Sequence, residues 1–126
     1  AYNIKKDNKD LMLYFGEVLS MQGKHQKALV AFQEGINLDQ SDPRMHNAAV
    51  KSLIAINDLD KALMAGQNAI KLDRNFFQAY YHVALVHEKK NELDQAMNAL
   101  KQALQINPNF TQASELLKKL EAAQKS

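Results

Sequence analysis

His87-Glu88-Lys89-Lys90-Asn91 begins as a zinc-hydrolase helix would, with a histidine ligand followed at once by a glutamate that could serve as general base. That chemistry needs a second histidine one helical turn on, where Asn91 stands instead. His82 and His87 are five residues apart, a spacing that does not share a helix face, and no third ligand lies within sequence reach. His87 is therefore expected to sit neutral in the core with one hydrogen bond, and His82 to face a ligand. Phosphate chemistry has no better footing, because Gly16, Gly23, Gly35 and Gly66 are too far apart to form one loop of converging backbone N–H groups. The chain contains no cysteine, so neither a thiolate nor a disulfide is available, and no serine or acid pair stands near a base. The reading is of a chain with no enzymatic activity, no metal and no cofactor. Asn109-Phe110-Thr111 is a formal glycosylation sequon, read here as a turn.

The bulk properties exclude several partners. The 126 residues carry 16 basic and 14 acidic side chains, a net charge of +2, which lacks the dense basic patch of a nucleic-acid or anionic-membrane binder. Lys5, Lys6 and Lys9, then Lys89 and Lys90, then Lys118 and Lys119 are short clusters of the kind found on solvated helix faces. At 46% hydrophobic and 24% charged, the composition is that of one globular domain, and no apolar run reaches the ~18 residues that would span a bilayer. Nucleic acid and direct membrane insertion are thus not expected. The expected location is the cytoplasm, with the periplasm or secreted side as the alternative.

The scarce chemistry is set in a strongly periodic chain. Ala28, Ala62 and Ala96 recur at a step of 34 residues, each followed by an apolar residue. Gly23, Asn57 and Asn91 keep the same step, as do Leu38, Leu72 and Ile106. A period of about 34 residues is the mark of a helix-turn-helix unit stacked on copies of itself. The predicted helices are Asp10 to Gln22 and His25 to Leu38, Pro43 to Ile56 and Leu59 to Leu72, Phe77 to Lys90 and Leu93 to Ile106, and a last helix Thr111 to Lys125. Asp42 before Pro43 reads as an N-cap with proline at the first helical position, and Gly23, Asn57 and Asn91 as left-handed residues closing helices. Asp60 and Asp94 suit the positive ends of the helices that follow.

Small residues at 28, 62 and 96, and again at Gly35, Ala69 and Ala103, are expected where the two helices of a unit cross. Met12, Phe15, Leu19, Leu29, Phe32, Leu53, Leu63, Ile70, Tyr80, Val83, Leu100 and Leu104 are the candidate core around them. Gly66 falls where Phe32 and Leu100 stand in the other units, and Phe76 or Phe77 is expected to fold back into the space. Leu116, Leu117 and Leu120 mark one face of a closing helix. Ala1-Tyr2-Asn3-Ile4 matches Ala103-Leu104-Gln105-Ile106, so 1–8 is read as the tail of an earlier unit.

The first unit places Met12, Phe15-Gly16, Leu19, Ala28, Phe32 and Gln40 at the offsets of the tetratricopeptide repeat. The third places Tyr80, Val83-Ala84, His87, Ala96, Leu100 and Pro108 there, and the second His46, Ala49-Val50, Leu53, Ala62, Gly66 and Arg74. The chain thus resembles that family, which implies an all-α, right-handed helical-hairpin solenoid of seven helices. Its divisions would be 1–8, repeats at 9–42, 43–76 and 77–110, and a cap at 111–126.

The same resemblance implies a protein-interaction module, a scaffold, adaptor or chaperone-like part. Its concave groove, lined by the first helix of each unit, would hold a peptide or partner segment. Carried onto this sequence, the groove residues are Leu13, Tyr14 and Glu17, then Arg44, Asn47 and Lys51, then Gln78, Tyr81, His82 and Leu85. Tyr14, Tyr81 and Arg44 are of the types that anchor interfaces. The clamp by which one subfamily grips chaperone C-terminal carboxylates is missing, since its slots hold Leu13, Glu17, Ala48, Gln78 and His82. A second implied reading is a structural array that self-associates or forms part of a larger repeat protein.

Overall fold

The computed structural model describes residues 4–125, with side chains from residue 8. The helices run in chain order α1 (Ile4–Met21), α2 (His25–Leu38), α3 (Pro43–Ala55), α4 (Leu59–Leu72), α5 (Phe77–Lys89), α6 (Leu93–Ile106) and α7 (Thr111–Lys125). No strand occurs among the described residues, and each helix packs chiefly on its neighbours in sequence, as in a solenoid. The chief difference from the sequence reading is at the start: α1 begins at Ile4, so 4–8 continue into the first helix, while 1–3 lie outside the described residues.

The helix ends follow from local chemistry. Gly23 has φ of 80°, and Asn57 and Asn91 each 62°, the left-handed conformation that closes a helix. One residue further, the N–H groups of Lys24, Asp58 and Glu92 donate back to the carbonyls of Leu19, Leu53 and His87 at 2.8, 2.9 and 2.8 Å. The Asp42 carboxylate accepts from the Arg44 N–H at 3.0 Å with Pro43 opening the helix, and Asp58 caps α4 through the Lys61 N–H at 3.4 Å.

Ala28, Ala62, Ala96, Ala69 and Ala103 are fully buried where helices cross. Facing positions compensate in size: a Cβ on Gly16 would lie 2.4 Å from the Phe32 ring, and one on Gly66 would lie 2.5 Å from Val83 Cγ2 and 3.7 Å from Val50 Cγ2. The space at Gly66 is therefore filled by valines from α5 and α3, not by Phe76 or Phe77 as expected. Phe77 instead makes an edge contact with Phe110, centroids 5.0 Å apart. Phe15, expected in the core, is 53% exposed: among the described residues no helix lies over its side of α1. Two apolar clusters, one centred on Phe32, Met45 and Val50 and one on Leu100 and Ala103, are joined by Leu63, which packs on both. His87 is half-buried and bonds Glu92 Oε1 at 2.9 Å.

A groove between the first helices

α1, α3 and α5 stand side by side, α3 touching both of the others, and present the residues expected to line a groove. Between α1 and α3 lies a hollow of about 100 Å³ with Glu17 and Lys51 on its rim, and Ser20, Met21, Ala48 and the Phe32 ring completing it. Beside it Tyr14 is 69% exposed. Leu13 packs partly into the first core cluster. Gln78 stands exposed and Leu85 half-buried on α5.

Further along, the Asn47 and His82 side chains bridge α3 to α5, Nδ1 to Oδ1, at 2.7 Å. Burial first, and repulsion from the Lys51 ammonium second, push the His82 pKa down to about 4, so at neutral pH the ring is uncharged and donates to the Asn47 carbonyl. His82 is thus largely withdrawn into the groove floor. Tyr81 is half-buried, its ring 5.3 Å from Phe110 and 5.7 Å from His82.

Arg44 is committed to carboxylates. Its Nε lies 3.1 and 3.2 Å from the Asp42 oxygens, its Nη2 lies 2.7 Å from Asp42, and it also pairs with Asp10. Lys9 binds Asp39 and lies 3.2 Å from Asp42. These five charges tie the start of α1 to the α2–α3 turn. The Arg44 hydrogen bonds hold the Asp42 pKa down at about 2, and Lys9 holds Asp39 well below the usual carboxylate range.

Sequence reasoning missed Ser20, Met21 and Phe32 as parts of the hollow and the ion cluster around Arg44. It also missed a larger concavity of about 470 Å³ on the opposite face, between α2 and α4, where Leu29, Ile36 and Met64 surround His46 and Ala49. The signal was present, because His46 and Ala49 are smaller than Tyr80 and Val83 one period on. Among the described residues, no three His, Cys, Asp or Glu side chains converge as metal ligands, and no helix is long and apolar enough to cross a membrane.

The family model of the tetratricopeptide repeat matches residues 77–110. No curated protein matches the sequence at a significant level. Among solved structures, the first tetratricopeptide domain of human RPAP3 superposes with a TM-score of 0.90 at 19% identity, covering 94% of this chain and 93% of that one. The first such domain of Spaghetti (RPAP3), solved with the HSP90 peptide SRMEEVD, gives 0.88 at 20% identity over 95% of each chain. The Yersinia enterocolitica type III secretion chaperone SycD, solved with a peptide of the translocator YopD, gives 0.84 at 21% identity over 94% of this chain and 95% of that one. Residues 77–110 thus match the tetratricopeptide repeat, and the chain has the fold of tetratricopeptide domains along nearly its whole length.

Proposed function

We propose that this protein recognises a peptide or partner segment on the face formed by α1, α3 and α5, and that it acts as a binding module rather than as an enzyme. The observation that carries the reading is the hollow between α1 and α3, which opposite charges, Glu17 and Lys51, line together with the buried Phe32 ring, Ala48 and the exposed Met21. Such a site suits an extended segment that buries one apolar side chain and offers both a donor and an acceptor beside it. Peptide complexes of the similar Spaghetti and SycD domains support the class of ligand. The peptide chemistry differs from the chaperone-tail type, because Glu17 and Ala48 stand where a clamp for a terminal carboxylate would need cationic or amide groups.

Of the groove residues, Tyr14 and Lys51 are the ones best placed to be tested, since both are exposed, whereas Arg44 and His82 hold the fold together. Immobilised parent and Tyr14→Ala/Lys51→Glu proteins, matched for helical signal and melting, are to be compared for partners captured from a cell extract. A partner retained by the parent and lost by the variant supports groove recognition. Equal capture by both moves the function off this face.

A further inference from the structure

The concavity between α2 and α4 is lined by residues from Leu29 to Asn68 and meets the α1–α3 hollow only at the Phe32 ring, which lines both. Its volume of about 470 Å³ falls among small-molecule sites, which span roughly 300–1,000 Å³. One period on, much of the lining recurs unchanged: Leu29, Ile36 and Ala65 become Leu63, Ile70 and Ala99. The small Ala49 is offset by the large Phe32, as the larger Val83 is offset by Gly66. The exchange of Tyr80 for His46 has no such offset, so the first unit lacks one phenol-sized ring in this slot.

The polar groups around that slot favour an anion. Lys61 is the single charged residue of the lining, and its ammonium, on a side chain 74% exposed, lies 3.8 Å from the Asp58 carboxylate, beyond ordinary hydrogen-bond reach. No carboxylate borders the concavity. Burial lowers the His46 pKa, so its half-buried ring is neutral at pH 7, and among the described residues it makes no hydrogen bond. One period on, Lys61 and the rim residue Met64 become Gln95 and Asn98, so the cation and the adaptable thioether accompany the missing ring.

We propose that the α2–α4 concavity is a binding site for a small aromatic carboxylate, a molecule of one or two rings whose ring takes the place that Tyr80 takes one unit later and whose anion meets Lys61. Leu29, Ile36 and Leu53 supply the apolar contact, and the free His46 nitrogens supply a donor and an acceptor beside it. The ligand is a small molecule because the space lacking a counterpart is that of one side chain, enclosed on three sides by α2, α3 and α4. The site lies on the face opposite the α1–α3 hollow, so its failure leaves the peptide reading standing.

The probe is anilinonaphthalene sulfonate, a two-ring aromatic monoanion, titrated by fluorescence against the 126-residue chain. Saturable binding at one site is expected, weakened at least about tenfold by His46→Tyr, which puts the missing ring in place. Lys61→Gln, which reproduces Gln95, should weaken it about threefold, the effect of one exposed charge pair, while the neutral N-phenylnaphthylamine should treat parent and Lys61→Gln alike. Carbon-13 methionine spectra locate the probe without any substitution: the Met64 methyl should shift, and Met21, in the α1–α3 hollow, should not. The proposal is overturned by absence of saturable binding, by a shift at Met21 in place of Met64, by affinity indifferent to His46→Tyr in a variant that keeps the parent's melting curve, or by affinity for the anion indifferent to Lys61→Gln.

Discussion

Ser20, His25 and Ser52 meet inside the junction of the first two units, Ser52 donating to Ser20 at 3.0 Å and lying 3.2 Å from His25 Nδ1. One period on, the same slots hold Ile54, Leu59 and Val86, packed in the apolar core. On the concave side the order reverses: the first junction has Leu13 and Ala48, the second the hydrogen-bonded Asn47 and His82. Each junction thus has one polar and one apolar layer, at opposite depths. The backbone repeat tolerates either, since both leave no buried side-chain nitrogen or oxygen unpartnered among the described residues. The layers differ in what they respond to. A hydrogen-bonded imidazole answers to pH and to loss of its partner, an apolar layer only to volume.

The largest expected effect tests that difference at His82. Its pKa is lowered in the folded chain to about 4 from 6.5, so the fold favours the neutral ring. Stability from this group is complete above pH ~6.5 and is lost as pH falls from there through ~4, on the order of 3 kcal/mol in all. Urea denaturation at a series of pH values should show the decline, and His82→Gln should flatten it. A decline that survives the substitution would assign it elsewhere. The carboxylates Asp39 and Asp42, held low by Lys9 and Arg44, would add their own loss only further down, below pH ~4.

Next in size is the crossing of α1 with α2. Gly16→Ala brings a Cβ against three Phe32 ring atoms at 2.4–2.9 Å, while the same slot in the third unit holds the buried Ala84, in one cluster with Leu100. The single change should cost about 2 kcal/mol in chemical denaturation, outweighing alanine's advantage of ~1 kcal/mol in helix propensity. Gly16→Ala with Phe32→Leu reproduces the third unit's pair and should recover most of the loss. Failure to recover would mean that the size compensation between these slots is not pairwise.

Helices, turns and the alanine crossings were legible in the sequence because their causes are local or recur every 34 residues. Gly23, Asn57 and Asn91 announce left-handed turns by residue type alone, and the structure has φ of 62–80° there. The filling of Gly66 was not legible. Its partner Val83 lies on the next unit's helix, and nearness in sequence pointed to Phe76 and Phe77 instead. Phe15 has a core-type pattern, and its exposure depends on what lies over α1, which no periodicity contains. For the residues expected to line a groove, the helices that carry them were legible but the state of each side chain was not: Arg44 is held by Asp10 and Asp42 and His82 by Asn47, partners 34, 2 and 35 residues away.

Converting the first junction to the second's chemistry is worth less. Ser52→Val alone should destabilise by about 1 kcal/mol, because His25 and Ser20 lose their shared hydroxyl partner. Ser20→Ile, His25→Leu and Ser52→Val together reproduce the residues one period on and should stabilise by about 1 kcal/mol. Thermal melts of the two variants moving in the same direction would show that the junctions are not interchangeable.

The smallest effect is expected at His46, which borders the 470 Å³ concavity in the slot that Tyr80 fills one unit later. Tyr80 donates its hydroxyl to the Arg74 carbonyl at 3.1 Å, and the residue in Arg74's position here is Gln40. His46→Tyr therefore adds aromatic surface beside Ala49 and Leu53, and the Gln40 carbonyl is the sequence counterpart of the acceptor that Tyr80 uses. Burial already disfavours a charged ring at His46, so nothing ionic is lost at neutral pH. A gain of about 0.5–1 kcal/mol is expected, readable as a shift in denaturation midpoint at unchanged slope. A loss instead would mean that α2 and α4 do not close over this slot as α4 and α6 do over Tyr80, and that the concavity is a property of the backbone spacing rather than of one small side chain.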